Sequence, residues 1–321
     1  MENKILNEFQ IKELREILIE KLESITLKDD ECIKLDFDIN VLEQIIFDTD
    51  KDGKRIFAID FNLIKKLDLT DISFDNVDIT KKDFRDSYGV KINPQTVWNK
   101  DFYGTKLKDA EIIGSFDGCR IRNTNFTGCI GAKINPQVVC NKNLYGTKLT
   151  DVEIIGTFDD CYIRKTNFTG SRGAKINPQI IWDKSLVFTV LKDAEIISTF
   201  DDCAIQGTNF EGSKGAKIDP KTVWGGFRNV TLKDTEIIGS LNNRCITGAD
   251  FTGSKGAVIN PQTVLDKDLS GAKLTDATII APFNGCNMEG TITDGADLSS
   301  LDYTKELKDK IKSSIRTRIR G

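Results

Sequence analysis

From about residue 64 to residue 303 the apolar positions follow neither the 3.6-residue period of a helix nor the two-residue period of a long flat strand. Large apolar residues recur every fifth position, as in Thr124-Asn125-Phe126-Thr127-Gly128. Alternate residues of an extended chain share a side, so Phe126 and the small Thr124 face inward and Asn125 faces out. The last two residues are turn formers, which predicts a corner after each five-residue segment. Four such segments to a turn predict an all-β solenoid, a quadrilateral β-helix, with coils about 4.8 Å apart.

A longer period lies over the short one. Gly89, Gly131, Gly173, Gly215 and Gly256 open five similar stretches, spaced 42, 42, 42 and 41 residues apart. Repeats of this regularity specify a stacked array. If each unit is two coils, the first-face central residues are Ile92, Ile112, Ile134, Ile154, Ile176, Ile196, Ile218, Ile237, Ile259 and Ile279, and Phe126, Phe168, Phe210 and Phe251 recur on the fourth face. The residues before the isoleucines read Lys91, Glu111, Lys133, Glu153, Lys175, Glu195, Lys217 and Glu236, which predicts one alternating outward charge column that pins the register. Eight five-residue segments leave two residues over, and these are expected in enlarged corners after the fourth face on alternate coils.

One stretch departs from the pattern. Regular packing of residues 93–100 would bury Gln95, Gln137, Gln179 and Gln262 and the lysines five residues later. Unpaired amides and ammonium groups are costly to bury. Asn93-Pro94-Gln95 suits a cap followed by proline, so a bulge or a single helical turn is expected there.

The ends differ from the body. Ile11, Leu14, Leu18, Leu22 and Ile25 predict an amphipathic helix over Phe9 to Leu27, and alternation from Cys32 to Ile39 predicts a strand. Residues 1–63 are therefore read as an α/β N-terminal cap, 64–303 as the β-helix, and 304–321 as a basic C-terminal capping helix. In that last segment Leu307, Ile311, Ile315 and Ile319 recur every four residues, and their narrow stripe suggests an end-to-end homodimer. Residues 1–60 hold 9 Lys/Arg and 16 Asp/Glu, whereas 304–321 hold seven and two, so an acidic head and a basic tail flank a nearly neutral body. The tail lacks the interleaved aromatics of a nucleic-acid site. No apolar run reaches membrane-spanning length and no signal-peptide profile opens the chain, which predicts a cytoplasmic protein without a membrane partner.

These features resemble the pentapeptide-repeat family, on Thr124-Asn125-Phe126-Thr127-Gly128, Thr166-Asn167-Phe168-Thr169-Gly170 and Ala249-Asp250-Phe251-Thr252-Gly253. The resemblance spans about three quarters of the chain and implies a right-handed quadrilateral β-helix. It also implies one activity found in the family, imitation of duplex DNA by proteins that engage topoisomerases.

Chemistry is sparse. The chain has no histidine, and no convergent catalytic set is visible, which argues against an enzyme and calls for no cofactor or small-molecule substrate. Asp48 to Gly53, DTDKDG, opens like a calcium loop but has Ile59 where a bidentate glutamate belongs, so a hairpin turn is expected. Asp109, Asp151, Asp193, Asp234 and Asp276 recur once per two coils, about 10 Å apart, too far to share a metal. They are expected to bond their own backbone at corners. Cys119, Cys161, Cys203 and Cys286 share that spacing, beyond disulfide reach. Trp98, Trp182 and Trp224 recur at one position, with Cys140 and Leu265 in the other copies. Each ring either packs over its own bulge or belongs to a partner-binding surface. A non-catalytic interaction scaffold of unknown partner is the reading that follows, with a DNA mimic that binds a type II topoisomerase as the alternative. A duplex mimic needs a strongly acidic face, and the outward column alternates in sign.

Overall fold

A computed structural model describes residues 6–28, 31–36, 38–299 and 301. It divides into two compact units, Met1–Thr157 with Gly170–Gly173, and Phe158–Thr169 with Ala174–Gly321. Both are built of short parallel bridges and two-residue parallel strand pairs, a β-solenoid-like repeat fold. The expected helix and dimer stripe of residues 304–321 lie outside the described residues.

The first unit opens with helix α1, Glu8–Ser24, started by a reciprocal capping box between Asn7 and Gln10. It buries Leu18 and Leu22, and at its far end Lys66 Nζ donates to the carbonyls of Leu22 and Ile25, 2.5 and 2.7 Å away. The strand expected over Cys32 to Ile39 is reduced to a parallel bridge between Ile33 and Leu67, and Phe37 lies outside the described residues. Ile39 instead begins α2, Ile39–Ile46, because Asp38 caps Asn40 N and Leu42, Ile45 and Ile46 form a buried helical stripe. The hairpin turn expected within Asp48 to Gly53 is present, with Asp48 and Thr49 in the first strand: β1, Phe47–Thr49, pairs with β2, Arg55–Phe57. Asp50 Oδ1 accepts from the amides of Asp52 and Lys54, and Asp48 pairs with Arg15 at 2.9 Å. A short α3, Phe61–Ile64, leads to the coils, the first of which bonds β2 through Arg55 and Val77.

In this unit β3, Lys91–Ile92, pairs with β4, Glu111–Ile112, and β5, Lys133–Ile134, with β6, Glu153–Ile154. In the second unit β7, Lys175–Ile176, pairs with β8, Glu195–Ile196; β9, Lys217–Ile218, with β10, Glu236–Ile237; and β11, Val258–Ile259, with β12, Thr278–Ile279. The first-face isoleucines and the fourth-face phenylalanines are buried, with edge-to-face pairs such as Phe116–Phe126 and Phe200–Phe210 at 5.2 Å. Inward threonines bond the coil before, except Thr235, which donates to Leu232 O of its own coil. Thr124 and Thr208 hydroxyls donate to Phe102 O and Leu186 O, each at 2.7 Å.

The single continuous charge column is not what forms. Lys–Glu pairs close at 3.6 Å for Lys91–Glu111, 3.0 Å for Lys133–Glu153, 3.5 Å for Lys175–Glu195 and 2.9 Å for Lys217–Glu236. Between pairs, however, each glutamate meets the residue that precedes the opening glycine: Ile130 for Glu111, Arg172 for Glu153, Lys214 for Glu195 and Lys255 for Glu236. The extra residues therefore sit as a bulge in the first face and not in a corner. The left-handed Gly215, φ 76°, makes that bulge possible, since a Cβ there would stand 2.8 Å from Ile196 O.

Candidate functional site

The Asn-Pro-Gln segments build the most elaborate feature of each repeat. In the first, Asn93 Oδ1 accepts from Gln95 N at 3.0 Å and Asn93 O from Thr96 N at 3.1 Å, the capped turn expected from the sequence. A 3-10 turn over Trp98–Lys100 follows, with Asn99 and Lys100 in left-handed conformation. The same turn recurs at Cys140–Lys142, Trp182–Lys184 and Leu265–Lys267. The glutamines are half-buried and paired. Gln179 Nε2 donates to Thr199 O and Asp201 O at 2.9 and 3.0 Å, and its Oε1 accepts from Lys184 Nζ at 3.1 Å. Gln95 repeats the arrangement with Ser115 O, Asp117 O and Lys100.

These turns carry the candidate surface residues. In the first unit Trp98 is half-buried. In the second, Trp182, Trp224 and Leu265 are 58%, 71% and 47% exposed. The fourth repeat lacks the 3-10 turn: Trp224-Gly225-Gly226 is one residue shorter, Ala204 pairs with Trp224, and Gln206 Nε2 holds Trp224 O at 2.9 Å. Arg244 takes the place of the cysteine in that copy, and its guanidinium donates to the carbonyls of Lys221 and Val223.

The recurring aspartates act differently from expectation. Asp151 Oδ2 accepts Gly128 N, and Asp234 Oδ2 accepts Gly212 N, both at 2.8 Å. They tie one coil to the next instead of closing their own corner, because the left-handed φ near 66° at both points the carboxylate across the gap. Among the described residues no group of three His, Cys, Asp or Glu side chains is placed to hold a metal.

No disulfide joins any of the eight cysteines. Burial pushes the thiols of Cys119, Cys129 and Cys203 up to about 12. Cys245 moves the other way: burial raises it, but hydrogen bonds from Thr247 and Arg228 outweigh that and hold it below the ordinary thiol value.

A second exposed apolar position was missed from the sequence. Ile113 and Ile155 in the first unit, and Ile197, Ile238 and Ile280 in the second, follow the buried strand isoleucine and stand in solvent. The Glu-Ile-Ile triplets contained the signal, since two successive residues of a strand cannot both face inward.

No protein-family model matches the chain, and no curated protein does. Among solved structures, it is similar to HetL, a pentapeptide repeat protein involved in heterocyst differentiation regulation from the cyanobacterium Nostoc sp. strain PCC 7120. The identity is 12%, over 65% of this chain and 84% of that one, with a TM-score of 0.18, a likeness too slight to carry any argument. No helix among the described residues is long and apolar enough to cross a membrane.

Proposed function

We propose that this chain is a non-catalytic protein-interaction scaffold, a right-handed quadrilateral pentapeptide β-helix bounded by the caps at residues 1–63 and 304–321. The observation that carries the reading is the exposure of Trp182, Trp224 and Leu265 on backbone held by coil-to-coil hydrogen bonds. Eight cysteines outside any disulfide suit a reducing, cytoplasmic setting. The basic segment is assigned self-association through Leu307, Ile311, Ile315 and Ile319, to be tested by light scattering on the intact chain and on one ending at Tyr303. The scaffold itself is tested by placing a photoreactive benzoylphenylalanine at Trp224 in cells. A discrete cross-linked protein at that position, absent when the probe replaces the exposed Lys192, is expected. Equal labelling at both sites, or none, would refute the reading.

The topoisomerase alternative is weakened by the charge pattern. Glu153 stands between Lys133 and Arg172, and Glu236 between Lys217 and Lys255, so the first face of each unit carries more cations than acids. Such a face is a poor copy of a duplex with one negative charge per about 1.7 Å. Inhibition of gyrase supercoiling at micromolar protein would restore the mimic.

A further inference from the structure

The corner after the second face takes a left-handed residue on successive coils. In the first unit that residue is neutral: Asn99 at φ 50°, Gly118 at 71° and Asn141 at 53°. In the second unit three successive coils carry Asp160, Asp183 and Asp202, at 56°, 57° and 56°. Asparagine and glycine meet the same backbone demand, so the conformation does not ask for aspartate. Like charges on coils about 4.8 Å apart also repel one another. Lys184, 3.8 Å from Asp202, returns little, because the Asp202 side chain is 86% exposed.

The residues just before this corner make a second column, Asp159, Trp182, Asp201 and Trp224, in which carboxylates and exposed rings alternate. The coils are neighbours: Asp160 N donates to Ile180 O at 2.6 Å, Asp202 N to Thr222 O at 2.8 Å and Trp224 N to Cys203 O at 2.9 Å. Those bonds leave no open edge for an added strand, so a partner must be held by side chains. The hydroxyls of Thr222 and Thr199, the second at 2.7 Å, keep the Asp201 carboxyl below its ordinary value and fix it between the rings. The five aspartates outnumber the cations beside them. Lys184 is bonded to Gln179, Lys221 stands at the turn before Trp224, and Arg244 is spent on the carbonyls of Lys221 and Val223.

We propose that Trp182 and Trp224, with Asp183, Asp201 and Asp202, form the docking site for an arginine-rich segment of a partner protein. The proposal rests on the scaffold reading and names the chemistry of its partner. A guanidinium stacks on an indole face and also pairs with a carboxylate through two parallel hydrogen bonds, so one residue type satisfies both columns. An acidic peptide or a nucleic-acid strand would meet the aspartates with like charge. The rings that interrupt the carboxylates distinguish the patch from a copy of a duplex.

The probe is a short fluorescein-labelled peptide of alternating Arg and Ser, titrated by anisotropy against the full chain. Saturable binding is expected, weakened about tenfold in Trp224→Ala and in the double variant Asp201→Asn with Asp202→Asn. Replacing Arg by Lys in the peptide is expected to weaken it as well, since an ammonium neither stacks nor forks. Phe188 supplies the control, an exposed ring at the next corner, left-handed at φ 58° where Gly104, Gly146 and Gly271 stand in other repeats. Phe188→Gly is expected to bind as the parent does. The proposal is overturned if the parent does not bind, if Trp224→Ala binds as the parent does, if Phe188→Gly loses as much as Trp224→Ala, or if a Glu-Ser peptide or labelled oligothymidylate binds as tightly. Tighter binding of a peptide with the sequence of residues 304–321 would also overturn it, by giving the site to the chain's own basic segment or that of a second copy. Cross-linking of a protein at position 224 together with no binding of the arginine peptide would leave the scaffold standing and remove only the arginine chemistry.

Discussion

Single residues hold this fold through inward methyl groups and through carboxylates aimed at neighbouring backbone. Ile176 is fully buried between coils, so Ile176→Asp places an unpaired carboxylate in the core at a cost of several kcal/mol. Thermal melting is expected to show loss of the cooperative transition or a fall of well over ten degrees. Asp83 tests the opposite sign. Arg85, at 2.6 Å, and Lys106, at 2.8 Å, hold its carboxyl well below the usual carboxylate range. A depressed folded-state value contributes stability above the unfolded value of about 3.9 and loses it as pH falls toward the folded value. The melting gap between parent and Asp83→Asn is therefore expected to be widest near neutrality and to narrow below about pH 4. Thiol chemistry gives a third check: with iodoacetamide near pH 8, Cys245 is expected to be alkylated at least tenfold faster than Cys119, Cys129 or Cys203, read by mass spectrometry.

At the scale of elements, the Asn-Pro-Gln turn and the first-face bulge carry the departures from a plain coil. Gln179→Ala removes two bonds to the next coil and one of the partners of Lys184, so a loss of about 1–3 kcal/mol in denaturant unfolding is expected. The turn was legible because the burial of Gln and Lys was physically unacceptable, and that conflict pointed to irregular backbone. The bulge was not. Counting residues located two extra per unit, but a corner and a bulge contain the same number. Only the pairing of Glu153 with Arg172 and Glu195 with Lys214 distinguishes them. In α2 the alternating stretch and the helical stripe overlap at Ile39, and the Asp38 cap decides for the helix. Phe188 was overlooked for a different reason: a corner glycine replaced by phenylalanine breaks no hydrophobic period, and its strain is visible only in the backbone angle.

For the whole molecule, the central claim is that the quantum of folding is a unit of two coils, because the bulge and the capped turn each occur once per pair. Excision of Gly215–Lys255, one complete repeat, joins Lys214 to Gly256 and preserves both features in register. Excision of residues 215–234 joins Lys214 to Thr235, removes a single coil and deletes the bulge. Nearest-neighbour stacking predicts that the first deletion still unfolds cooperatively, with a modestly lower midpoint, and that the second loses most of its stability. The decisive measurement is urea unfolding followed by far-UV circular dichroism on the two deletions side by side. A sharp transition for the full-repeat deletion and a broad or absent one for the single coil is the predicted result; equal stability of the two, or unfolding of the full-repeat deletion alone, would contradict the account.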